Sequence, residues 1–130
     1  MSLLLLDTHL LLWAALDDAR LTPAARALIA DPSNDLAFSA ASIWEVVLKT
    51  GLGRADFTLD ARLLRGGLLA AGYREVPVTA EHAIGLSRLP PLHRDPFDRI
   101  LLAQAEAEGA TLLTADRTLA QYPGPIRLVA

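Results

Sequence analysis

The sequence predicts an α/β fold with a mostly parallel sheet, and three observations carry that prediction. Short apolar runs of strand length alternate with longer segments of helical pattern. The runs are continuously apolar, as parallel strands buried on both faces should be. Ser, Thr or Asp precedes several helical segments, and Gly or Pro follows them, so most elements have marked ends.

Ser2 to Leu6 is the first strand, ended by Asp7, and a helix follows over Leu10 to Leu16. Thr22 caps a second helix whose first position is Pro23, where the missing N–H costs nothing, and Pro32 closes it. Asp35 to Phe38 is the second strand; it leads through Ser39 into a helix over Ala40 to Thr50, stopped by Gly51 and Gly53. A helix near Asp60 to Ala71 precedes the third strand, Glu75 to Val78. Thr79 caps a helix reaching about Leu89, before Pro90 and Pro91. Asp95-Pro96-Phe97-Asp98 begins a helix that runs to Glu108 and ends at Gly109. Thr111 to Thr114 is the fourth strand, Asp116 to Tyr122 a short helix, and Ile126 to Val129 the fifth strand.

A length of 130 residues suits a single domain spanning 1–130, and 52% hydrophobic residues exclude a disordered chain. The absence of cysteine excludes a disulfide framework, a thiolate metal site and a thiol nucleophile. The leucine-rich start lacks a basic region and is interrupted by Asp7, Thr8 and His9, so neither a signal peptide nor a membrane span is expected, and a cytoplasmic location is. Twelve Lys and Arg against 15 Asp and Glu give a formal charge of -3, with no general basic footprint for nucleic acid. Lys49 is the only lysine, however, and the arginines that make up the rest favour bidentate phosphate contacts.

Open parallel sheets bind ligands beyond the carboxyl ends of their strands, where the chain order reverses. Asp7 follows the first strand and Asp116 follows the fourth, on the same rim. Glu45 and Asp98 lie early in helices that can aim them at that rim, so four carboxylates are placed to converge. Each also has a structural reading. Asp7 and Asp116 suit helix caps. Glu45 fits a capping box with Ser42 and a surface ion pair with Lys49, although its apolar neighbours call for a partner or a metal. Asp95, before Pro96, reads as the cap, whereas Asp98 shares a stripe with Leu101, Leu102 and Ala105. Four converging carboxylates require a cation, and oxygen ligands favour Mg²⁺ or Mn²⁺ over zinc. Taking four carboxylates out of the formal charge of -3 leaves +1, so the acidity of the chain belongs to the proposed site.

Together, Leu4-Leu5-Leu6-Asp7-Thr8-His9, Ser42-Ile43-Trp44-Glu45-Val46, His93-Arg94-Asp95-Pro96-Phe97-Asp98-Arg99 and Thr114-Ala115-Asp116 resemble the PIN-domain family, nearest its VapC-type toxin branch. The resemblance implies a three-layer α/β/α fold around a five-stranded parallel sheet. It also implies a Mg²⁺- or Mn²⁺-dependent endoribonuclease for single-stranded or loop RNA, inhibited by a cognate antitoxin protein. By position, the family's four catalytic acids fall on Asp7, Glu45, Asp98 and Asp116, and its supporting hydroxyl on Thr114. Asp7, Asp98 and Asp116 are then the metal ligands, and Glu45 orients the attacking water. Arg94, Arg99 and Arg117 flank these acids as candidate RNA contacts. A homodimer is expected and no membrane contact is; Leu12, Trp13 and Leu16, with the apolar side of Ala61 to Leu69, are candidate interface segments.

Three other readings remain open. A metal-free ribonuclease would use His9, His82 or His93 as acid and base. A receiver-like signalling domain would also hold Mg²⁺ at strand ends, but adjacent acids after the first strand and a late lysine are missing. A PIN-like RNA-processing or interaction module would keep the fold without toxin activity.

Overall fold

A computed structural model describes residues 2–54 and 58–129. Its strands are β1 (Ser2–Leu6), β2 (Asn34–Ser39), β3 (Arg74–Val76), β4 (Thr111–Thr114) and β5 (Ile126–Leu128). They form a five-stranded sheet in the order β3-β2-β1-β4-β5. Every neighbouring pair is parallel.

The period of two along a strand divides the leucines of β1 between two cores. Leu4 and Leu6 join one apolar cluster with Phe38 of β2, and Leu5 joins the other with Ala37. Residues of α1 (Thr8–Leu16), α2 (Pro23–Ala30), α3 (Ala40–Gly51) and α4 (Ala61–Ala70) complete the first cluster. Leu101, Leu102 and Ala105 of α6 (Pro96–Glu108) fill the second. The sheet is therefore sandwiched between helices, with the central strand buried at Leu4, Leu5 and Leu6.

Chain order reverses between β1 and β4. Leu6 pairs with Leu113, and the Asp7 N–H donates to the Leu113 carbonyl at 3.0 Å. The carboxyl ends of these two strands thus lie side by side, and the polar residues that follow them share one rim.

Several boundaries differ from the sequence expectation, each for a local reason. β3 stops at Val76 because Pro77 has no N–H to donate to a neighbouring strand. The helix after Thr79 is only α5 (Ala80–Gly85) with a 3₁₀ turn at Leu86–Arg88, because Leu89 precedes Pro90 and is extended. The expected helix from Asp116 to Tyr122 is reduced to a 3₁₀ turn at Leu119–Gln121, with Tyr122 extended before Pro123. The capping box expected from Ser42 to Glu45 does not form. Ser39 caps α3 by accepting the Ala41 N–H, which places Ser42 inside the helix. The buried Ser42 Oγ instead accepts the Thr8 hydroxyl at 2.9 Å, tying the starts of α1 and α3 together. Among the described residues no helix is long and apolar enough to cross a membrane.

Candidate active site

Asp7 leaves β1 and caps α1, so its Oδ1 accepts the Leu10 N–H at 2.9 Å. Its Oδ2 accepts the Thr114 hydroxyl at 2.5 Å, and the same hydroxyl oxygen accepts the Asp116 N–H at 2.9 Å. Thr114, fully buried at the end of β4, thereby links the two acids across the strand junction. Capping does not preclude a ligand role for Asp7, because a carboxylate oxygen has more than one lone pair.

On the facing helices, Asp95 caps α6 by accepting the Phe97 N–H at 2.9 Å, with Pro96 at the first position. Asp98, a residue later than Phe97, turns toward the rim. Its carboxyl is pushed up to about 8, first by burial and then by the negative charges of Asp95, Asp7, Glu45 and Asp116. Those four charges are near enough to raise Asp98. Burial also raises the Asp7 carboxyl, against the hydrogen bonds from Thr114 and Leu10. Asp116 lies lower than usual: burial raises it, but hydrogen bonds from His93 and from the N–H groups of Leu119 and Thr118 outweigh that effect.

Glu45 is 1% exposed on α3. Lys49 does pair with it, at 2.5 Å, but the expected surface ion pair is a buried one, with the Lys49 side chain only 14% exposed. The ammonium lies over the Phe97 ring and 3.8 Å from Asp95. Glu45 Oε1 is buried without a hydrogen-bond partner. A buried, unpaired carboxylate oxygen beside three other acids, one of them held near pKa 8, is a donor set suited to a hard divalent cation.

The histidines separate sharply. His82 is 2% exposed, closes a capping box with Thr79 and pairs with Glu108 at 3.2 Å, so it belongs to the fold. His9 is exposed on α1 with its ring beside Trp13. His93 lies in the cleft, with Nε2 3.0 Å from Asp116 Oδ2 and 3.2 Å from Asp98 Oδ2. One ligand atom each from His93, Asp98 and Asp116 falls within 4.8 Å of the others. Sequence reasoning named His93 only as a candidate for metal-free chemistry and missed its tie to the two acids; its position two residues before the cap of α6 was the available signal.

The three flanking arginines differ in their surroundings. Arg99 directs Nη2 of its guanidinium to the carbonyls of Leu89 and Leu86, at 3.3 and 3.5 Å, and thus braces the loop before α6. Arg94 and Arg117 are exposed beside the acids. Of the candidate interface residues, Leu12 is buried in the core, whereas Leu16 and Leu63 are 55% and 74% exposed along an apolar groove between α1 and α4.

The PIN domain family matches residues 4–125. The chain belongs to the PIN domain family. Solved structures agree with that fold at low sequence identity. The VapBC2 complex from Rickettsia felis, bound to a DNA fragment of its promoter, aligns over 98% of this chain and 99% of the other, with TM-score 0.69 and 17% identity. DNA-bound VapBC from Salmonella typhimurium aligns over 98% of each chain, with TM-score 0.65 and 15% identity. Mycobacterium tuberculosis VapC20, a sarcin–ricin loop cleaving toxin, aligns over 90% of this PIN domain and 92% of its own chain, with TM-score 0.59 and 19% identity. No curated protein matches the sequence significantly.

Proposed function

We propose that this PIN domain is a Mg²⁺- or Mn²⁺-dependent endoribonuclease that cleaves single-stranded or loop RNA and acts as the toxin of a toxin–antitoxin pair. The observation that carries the reading is the approach of Asp98 and Asp116 to within 4.8 Å of each other at the point where strand order reverses, with Asp7 and Glu45 near enough for their charges to raise Asp98. Asp98, Asp116 and Asp7 would hold the ion. A bound divalent ion supplies an acidified water and neutralises charge developing on the phosphate.

The chain's own residues do the rest. Glu45, with its free oxygen, orients the attacking water and takes its proton. Lys49 offsets the charge of Glu45, keeping it an acceptor. Thr114 fixes the Asp7 carboxylate and the backbone of Asp116 in one register. Arg94 and Arg117 offer phosphate contacts at the mouth of the cleft. Cleavage by water leaves a 5′-phosphate and a 3′-hydroxyl.

The antitoxin and a second copy of the chain are the protein partners of this reading. VapBC relatives of the same fold, solved as complexes, support the first. Leu16 and Leu63 along the groove, and Trp44 and Val47 on α3 with Leu52 at its C-cap, are exposed apolar side chains such partners would cover.

Cleavage of a mixed RNA pool with and without EDTA, beside Asp7→Asn and Asp98→Asn, tests the activity. Metal-dependent cutting lost in both variants is expected. Cyclic 2′,3′-phosphate ends, or cutting that survives EDTA, would overturn it in favour of histidine chemistry.

A further inference from the structure

The imidazole of His93 stands between two of the acids, and its hydrogen-bond directions restrict what it can do there. Nδ1 accepts the Asp95 N–H at 3.1 Å. A neutral imidazole carries one ring hydrogen, and a nitrogen that accepts cannot be the one that carries it. The hydrogen is therefore on Nε2, aimed at Asp116 Oδ2 and Asp98 Oδ2. The protonated ring also has a hydrogen on Nε2, so in both forms this nitrogen is a donor without a lone pair for a cation. Ligation through Nε2 would move the hydrogen to Nδ1, where it would face the Asp95 N–H and leave that group without its acceptor.

The loop around the ring is held as well. The His93 N–H donates at 2.9 Å to the hydroxyl of Tyr122, a residue 3% exposed, and Asp95 beyond it caps α6. The ring is thereby presented to the acids by backbone contacts on both sides.

Accepting the metal-dependent reading above, the geometry points to His93 as a positioning residue whose Nε2–H, shared between Asp98 and Asp116, competes with a divalent cation for their oxygens. In the protein without added metal, this N–H holds the two carboxylates at a common distance and lessens their repulsion. Cation and Nε2–H compete, since both draw on Oδ2 of Asp98 and of Asp116 and the positive end of the N–H repels a cation held there. His93 thus sets the metal concentration at which the site fills, and is not itself a ligand.

The test is Mg²⁺ binding by calorimetry to the wild-type chain, His93→Ala and Asp98→Asn, together with long-range ¹H–¹⁵N spectra of the wild-type imidazoles. Loss of the competing donor should tighten Mg²⁺ binding to His93→Ala by roughly five- to tenfold, the equivalent of one hydrogen bond. The spectra should show the His93 hydrogen on Nε2 before Mg²⁺ is added, and the Nε2 resonance should move on saturation. Unchanged or weaker Mg²⁺ binding to His93→Ala overturns the inference, and so does a hydrogen on Nδ1, even if that variant fails to fold. Mg²⁺ binding that is absent from the wild type defeats the nuclease reading as well; binding lost in Asp98→Asn but not tightened in His93→Ala defeats this inference alone.

Discussion

The two ends of α6 each lie against an imidazole from outside the helix, with the same first contact and different surroundings. His82, beside Glu108 at the carboxyl end, accepts the Thr79 N–H at Nδ1 and presents Nε2 to one carboxylate. His93, at the amino end, accepts the Asp95 N–H at Nδ1 and presents Nε2 to two. One imidazole and one acid make a satisfied structural pair. One imidazole facing two acids, with Asp7 and Glu45 behind them, leaves more negative charge than the pairing can balance. The tautomer is the same at both ends; what differs is the number of carboxylates each ring faces.

Breaking the acidic end should have the largest effect. Glu45→Gln keeps the shape of the side chain but removes its base, and the rate of RNA cleavage at saturating metal should fall by about 10²- to 10⁴-fold. Asp98→Asn should lower cleavage at least as far, yet it should stabilise the metal-free chain in urea denaturation by removing a charge that burial opposes.

The pH dependence sharpens the same contrast. The folded-state carboxyl of Asp98 is raised from 3.8 to about 8. A raised carboxyl favours the folded state at low pH, and the advantage is lost as pH rises from about 4 through 8. The metal-free protein should therefore be more stable at pH 5 than at pH 8, and Asp98→Asn should flatten that slope; equal slopes would remove Asp98 as its source. Added Mg²⁺ should counter the loss most strongly near pH 8, where binding displaces the fewest protons.

At the structural end, His82→Ala should cost about 1–3 kcal/mol in urea unfolding through the lost cap and the stranded partners, with cleavage per folded molecule unchanged. The smallest effect is expected from Arg117→Ala, which should weaken RNA binding alike for different sequences and reduce the slope of log affinity against log salt by about 1.

Much of this was legible in the chain because acids stand out where apolar patterns end. Asp7 closes the run of β1, and Asp98 falls on the inward stripe of α6, so their places followed from periodicity alone. The environment of Glu45 did not follow. Spacing identifies Lys49 as a neighbour one turn away, but what covers the pair lies across the fold, in Phe97 and Asp95. Likewise, nothing local distinguishes an arginine that reaches solvent from Arg99, which reaches the carbonyls of a preceding loop. His93 sits in a stretch without helical or strand period, between Pro91 and Asp95, where only tertiary structure assigns a direction.

The outer strands of the sheet have a consequence for how the chain behaves among its own copies. β3 and β5 each span three residues, and Pro77 follows the first directly. A sheet edge is a template on which a foreign strand can grow, and its reach scales with the unpaired backbone it displays. Here a core rich enough in leucine to aggregate is bordered by margins too brief to seed cross-strand growth.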